Sequence, residues 1–355
     1  MKIVKKVIDH IEKCYAVTEF EYDGKRNLLC CAEGKGPCRA YDLQGNPEET
    51  LWNGPGGVMT LAQFPEGDEP VLLATQGFFS PDDASDAELV YYYRRNERWH
   101  CKTLCRLPFL HRFGIVCSRG KKYIVAATLK SANAFSGDWT CPGRVWAAEL
   151  PKNILQYDSG HPLKFQPVLN GLYKNHGFSI NRDEENSYAV IGTENGVYTV
   201  YPPKDPKEQW KCKLILKEPA SDVLYRDLDH DGEKELIILS PFHGENIKIF
   251  KKNEKNEFVQ VYEREKKMPF SHAIWGDAID GHEHVFIGGR EGDRELIALY
   301  YDMEKEEYKE FRVDAGAGAA NCMLFQVDGQ SRLICANRET DEVAVYSFGS
   351  DDSLG

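Results

Sequence analysis

Three of the ten histidines stand at one distance from one kind of strand. His111 precedes Tyr123-Ile124-Val125 by twelve residues, His176 precedes Tyr188-Ala189-Val190 by twelve, and His272 precedes His284-Val285-Phe286 by twelve. Four further copies of the same outline hold Ala16, Val58, Asp222 and Asn321 at the corresponding place. Neutral imidazoles around an open position suit a divalent transition metal, Zn²⁺ or Mn²⁺, with water or substrate as the remaining ligand. Such an ion polarises a carbonyl and acidifies the neighbouring C–H for β-elimination, or it activates water for hydrolysis. Elimination also needs a base, for which His243 is the first candidate and Tyr173 and Lys130 follow. Asp222 and Asn321 would orient a ligand or join the set. The competing reading is three separate, hydrogen-bonded channel histidines.

The elements that must bring these residues together are short strands. Residues 222–239 read as an apolar strand, an acidic glycine turn and a second apolar strand, and this outline recurs in six other places. Each hairpin is followed by a third short strand, such as Glu88–Tyr93 or Asn246–Phe250, and usually a fourth. Repeating four-stranded units bury their faces only against one another, which predicts an all-β, seven-bladed β-propeller. The last unit runs short of strands, and Lys2–Ile8 is left over at the N-terminus. That strand is expected to close the ring as the outer edge of the last blade. The propeller then spans residues 1–349, and the acidic tail, 350–355, is expected to be disordered.

The start of each innermost strand rings a propeller's axis, so the three histidines converge on one face. Loops on that face carry Trp139, Arg290 and Arg338, which together with Asn321 and Asp222 suit the hydroxyls or carboxylate of a small sugar, with Trp139 as a stacking platform. On the opposite face Asp227, Asp229 and Asp231 alternate before Gly232, and with Glu235 they form a candidate Ca²⁺ turn. The same residues also favour tight turns with no ion present.

Composition limits the partners. With 44 Lys+Arg against 56 Asp+Glu the formal charge is −12, which argues against nucleic acid or an anionic membrane surface. The hydrophobic share of 42% is that of an ordinary globular chain. No run approaches the ~20 apolar residues of a membrane span, and Met1–Lys6 lacks the apolar stretch of a signal peptide, so a cytoplasmic location is expected. The 11 cysteines are odd in number, have no Cys-x-x-Cys pair and sit largely in apolar runs, as buried free thiols do. Phosphate-binding, dinucleotide and nucleophile-elbow motifs are absent. Sequence leaves the oligomeric state open.

The segment Asp227-Leu228-Asp229-His230-Asp231-Gly232, in its strand–turn–strand frame, resembles the FG-GAP and VCBS propeller repeats, although one copy of seven carries the full acidic motif. With channel histidines added, the chain is similar to the propeller of the aldos-2-ulose dehydratases and to metal-dependent propeller polysaccharide lyases. The resemblance implies a carbon–oxygen lyase acting on a keto-sugar or oxidised glycoside, with His111, His176 and His272 as ligands. The further β domains of the fungal dehydratase have no counterpart within these 355 residues. A metal-dependent hydrolase, or a propeller that only binds carbohydrate or protein, are the alternatives.

Overall fold

The computed structural model describes residues 2–349 apart from 68, 184, 185 and 206; the acidic tail lies outside them. Seven four-stranded antiparallel sheets follow one another in chain order around a ring. Blades 1 to 6 span 14–52, 61–106, 110–172, 177–216, 222–263 and 271–314, and blade 7 spans 319–349. The fourth strand of blade 7 is Lys2–His10, antiparallel to Glu342–Gly349 with Lys2 opposite Gly349 and His10 opposite Glu342. The all-β seven-bladed ring and its closure by the first strand match the sequence expectation.

Burial follows position within the blade. Second strands such as Val71–Gln76 and Glu235–Ser240 are buried along their whole length. A strand with one wet face would alternate, and these do not because neighbouring blades cover both faces. Phe20, Leu29, Leu61, Leu72 and Val90 show the contact, filling the space between blades 1 and 2. Outer strands such as Lys2–His10 and Lys211–Leu216 are largely exposed and accordingly rich in lysine.

The inner hairpins turn on dipeptides with two positive φ values: Asp23-Gly24 (52° and 70°), Arg119-Gly120 (48° and 78°) and Asp280-Gly281 (51° and 81°). Two left-handed residues make the turn type whose twist matches the flanking strands. Inner strands also approach closely at the axis. A Cβ on Gly114 would stand 2.8 Å from the Phe178 ring, so blades 3 and 4 meet there only because the side chain is missing.

Ring closure rests on more than the ladder. Ile11 N–H donates to Asp341 O at 2.9 Å, Lys13 N–H to Asp341 Oδ1 at 2.7 Å, and Tyr41 OH in blade 1 to Asp9 Oδ2 at 2.6 Å. Deletion of residues 1–10 is therefore expected to expose the edge of Glu342–Gly349 and loosen both end blades. Size-exclusion chromatography and denaturant unfolding of the truncated chain should show self-association and a broadened transition at lower denaturant concentration.

Candidate functional site

The histidine position is set by an irregularity in the innermost strand. In blades 1, 3, 6 and 7 the pairing with the second strand slips by one residue, at Tyr15, His111, His272 and Ala320. These are bulges, in which an extra residue is left without a ladder partner. In blades 4 and 5 His176 and Ser221 immediately precede the first paired residues, Gly177 and Asp222. In blade 2 Met59 precedes Thr60, whose carbonyl accepts from Thr75 N–H at 3.0 Å. The four other members of the set are thus Tyr15, Met59, Ser221 and Ala320, each one residue away from the Ala16, Val58, Asp222 and Asn321 of the spacing argument. Counting along alternating residues does not register a bulge.

Adjacent blades are stapled at this level. His176 Nδ1 lies 2.8 Å from Ser221 O, and His272 Nδ1 lies 2.8 Å from Ala320 O. A carbonyl only accepts, so both rings carry the proton on Nδ1 and present an Nε2 lone pair. Thr60 Oγ1 donates to His111 O at 3.2 Å, and Asn321 Nδ2 donates to Tyr15 O at 3.0 Å. Tyr15 OH lies 3.1 Å from His272 Nε2 and 3.5 Å from His111 Nε2. Because the lone pair of His272 must accept, the Tyr15 hydroxyl donates there and its oxygen faces His111.

His111, His176 and His272 are respectively 3%, 1% and 2% exposed, far less than an open catalytic pocket would leave them. The structure brings their rings together, at 4.4 Å between His111 and His176 and 5.1 Å between His176 and His272. The tightest group of ligand-capable nitrogens differs from the expected triad. His176, His243 and His272 offer nitrogens within 4.8 Å of one another, while His111 stands outside that group. His243, expected as a base, is half-buried at φ 49°, stacked between Phe242 at 3.9 Å and Phe270 at 4.2 Å. The Nε2 atoms of His176 and His243 are buried with no partner. Sequence missed this because the 241–246 loop is far from the strands it covers, and no periodicity places a loop.

Burial holds His111, His176 and His272 well below the usual imidazole range, with Arg112 among the positive groups adding to the effect. Burial, then Arg290 and Lys174, bring His243 down to about 3. Beside them Asp222 is pushed up to about 6 by burial, against the pull of Arg112, whose guanidinium is 3.6 Å away. Asp222 Oδ1 accepts from Val223 N–H at 2.9 Å and Phe178 N–H at 3.2 Å. Arg112 also donates to Asn321 Oδ1 at 3.2 Å.

The loop-face residues are engaged with one another. Lys130 is 1% exposed, with Nζ 2.8 Å from Asp82 and 3.0 Å from Asp138 O, and it lies 4.8 Å from the Trp139 ring. That ammonium covers a face of the expected stacking platform. Arg290 pairs with Glu339 at 2.7 Å and sits over Phe270, and Arg338 binds Glu33 and Glu339. Tyr173 is 41% exposed, its N–H bound by Asn195 Oδ1 at 2.8 Å, and its hydroxyl touches none of the histidines among the described residues.

In the acidic turn, Asp227, Asp229 and Glu235 bring oxygens within 4.8 Å of one another. Lys251, two strands on in the sheet, places its ammonium against Asp229, 2.7 Å from Asp231 and 3.4 Å from Glu235. Those carboxylates hold Lys251 above its usual range in spite of burial, while burial pushes Glu235 up to about 7. The cation at this turn is therefore the chain's own. All 11 cysteines are free, and six of them are buried.

The fold and its axial ring define a seven-bladed β-propeller with a histidine cluster at the hub. No family model matches the chain, and neither does any curated protein. Among solved structures it is similar to virginiamycin B lyase from Staphylococcus aureus, at 12% identity, TM-score 0.61, covering 98% of this chain and 99% of that one. It is also similar to BBS1N, solved in complex with ARL6DN, at 10% identity, TM-score 0.58, covering 99% and 97%. At these identities the likeness is one of fold. No helix among the described residues is long and apolar enough to cross a membrane.

Two predictions follow from the charges. The buried histidines stay neutral in the fold but protonate when unfolded, so each contributes stability above about pH 6.5 that is lost on acidification at about 1.4 kcal/mol per pH unit. Asp222 acts in the opposite sense between about pH 4 and 6, since its raised value makes the folded state bind the extra proton. Denaturant titrations at pH 7 and pH 5 should show the wild type losing about 2 kcal/mol more than His111→Phe over that interval. At the acidic turn, millimolar Ca²⁺ is expected to leave the wild-type Tm unchanged. Lys251→Met should melt lower in chelator and recover when Ca²⁺ is added.

Proposed function

We propose that the propeller is a metal-dependent carbon–oxygen lyase for a keto-sugar or oxidised glycoside, with a divalent transition ion held by His176, His243 and His272. One observation supports the reading above the others. Three imidazoles bring nitrogens within 4.8 Å; backbone carbonyls fix the tautomers of His176 and His272, the Nε2 atoms of His176 and His243 have no partner, and His272 Nε2 would exchange its bond from the Tyr15 hydroxyl for the ion. A ligating histidine is ordinarily oriented by such a bond from its other nitrogen. The donor set also fits the ion chemically, because neutral imidazole ligands suit zinc better than the oxygen-preferring manganese, and burial keeps these rings neutral.

When bound, the ion would polarise the substrate carbonyl and acidify the adjacent C–H. The chain's own groups carry the remaining roles. Ser221 O and Ala320 O hold the two rings in place, and the Tyr15 hydroxyl, which would give up His272 Nε2 to the ion, lies against His111, which makes His111 a positioning residue. With His243 in the ligand set, the base falls to a different group. Asp222 is one residue from the carbonyl that orients His176, faces the axial cavity and has a proton affinity near neutrality. Phe78, Phe242 and Phe270 exclude water from the loop side of the cluster. Calcium at the Asp227 turn is part of the same reading only where it displaces Lys251.

The second reading is a propeller that binds a protein partner, for which the support is that BBS1N, of like fold, was solved in complex with ARL6DN. Elemental analysis separates the two. About one transition metal per wild-type chain, kept in His111→Phe and lost in folded His176→Ala, His243→Ala and His272→Ala, supports the metal reading. Incubation with 1,5-anhydrofructose should then give an unsaturated product with new ultraviolet absorbance, reduced at least a hundredfold in Asp222→Asn. A metal-free wild type, or metal that persists in all the variants, would leave the binding propeller.

A further inference from the structure

On the other side of the histidine ring the axis opens into a cavity of about 360 Å³. Its upper wall is the next position along the innermost strands, where Arg112, Asp222 and Asn321 come from blades 3, 5 and 7. Below them Thr18, Ser179 and Trp275 continue the wall toward the hairpin turns. The loop side of the ring is covered by phenylalanines and by the ion pairs of Lys130, Arg290 and Arg338, so the cavity's free approach is from the hairpin face.

The electrostatics narrow the occupant. Arg112 and Asp222 face one another at 3.6 Å, and Arg226, also in the wall, lies 3.7 Å from Glu283. A phosphate or carboxylate would meet Asp222, and a cation would meet Arg112. A neutral group that both donates and accepts satisfies the two together, and a sugar hydroxyl is such a group. The wall also has hydrogen-bonding capacity that the protein alone does not meet: Arg112 Nε, Ser179 Oγ and Trp275 Nε1 are buried without partners. The volume lies near the lower end of the roughly 300–1,000 Å³ of small-molecule sites, which suits a single ring rather than a threaded polymer.

We propose that this axial cavity, entered from the hairpin face, binds a neutral polyhydroxylated ligand of monosaccharide size, gripped by Arg112 and Asp222 against Trp275. The inference deepens the lyase reading by assigning its substrate's side of approach, and the two can fail separately. Binding of 1,5-anhydrofructose to the 355-residue chain, followed by calorimetry and Trp fluorescence, tests it. Affinity should fall at least tenfold in Arg112→Met and in Ser179→Trp or Thr18→Trp, which obstruct the hairpin-side wall. It should stay within twofold in Glu194→Trp, which places the same bulk on the loop face, while the metal content of the wild type bears on the lyase reading alone. Using two obstructing variants guards against a misfolded one, with circular dichroism as the check. Binding that survives both folded obstructing variants, binding lost in Glu194→Trp, or no binding of the sugar at millimolar concentration would each overturn the proposal.

Discussion

Much of this hub depends on a carbonyl oxygen that the sheet does not pair. Where an innermost strand begins with a bulge, the extra residue leaves the ladder, and its C=O faces the neighbouring blade in a place with little water. The next blade round supplies the donor: Thr60 to His111 O, His176 to Ser221 O, His272 to Ala320 O and Asn321 to Tyr15 O. An unmet buried acceptor costs about 1–3 kcal/mol, so these bonds matter to packing as much as to chemistry. A side chain that must donate from one nitrogen to satisfy its neighbour is left with a single lone pair on the other. Blade stapling and ligand orientation are therefore one requirement in this ring.

The same geometry explains which parts of the protein were legible in the sequence. Second strands are dry on both faces and read as unbroken apolar runs, and the Asp-Gly and Arg-Gly turns between them carry the left-handed residues a tight hairpin needs. Repeat number, ring closure by Lys2–Ile8 and the shared register of three histidines followed from those signals. The bulge hid Tyr15 and Ala320, since an inserted residue shifts the side-chain count by one without changing composition, and Ser221 stands just ahead of the first paired residue of its strand. His243 was read as a base and not as a member of the ligand group, and Lys251 was not singled out, for another reason. One lies on a loop that folds back over the axis, and the other is two strands from the carboxylates it neutralises, so sequence neighbours do not reveal either contact.

Charge is sorted by depth. The surface holds the excess of acid, while the interior is arranged so that few groups ionise without a partner. Lys130 is buried with its Nζ against Asp82 and the Asp138 carbonyl, and the half-buried Lys251 is surrounded by three carboxylates. The histidines solve the same problem by remaining neutral. Asp222 falls between the two, with a guanidinium too distant for a bidentate grip and two backbone N–H groups.

The seam between Lys2–His10 and Glu342–Gly349 joins the first and last strands of the ring. During synthesis the first of these strands is made before any of the blades, while its partner emerges only after the other six have been made. The earliest strand is thus among the last to find its place, and contacts so far apart in sequence form slowly. Until then blade 1 stands beside an open gap, and an unpaired edge is the surface on which nascent chains aggregate. The lysines at 2, 5 and 6 keep that waiting strand hydrated, so the residues that leave it exposed in the finished ring also protect the chain before the ring exists.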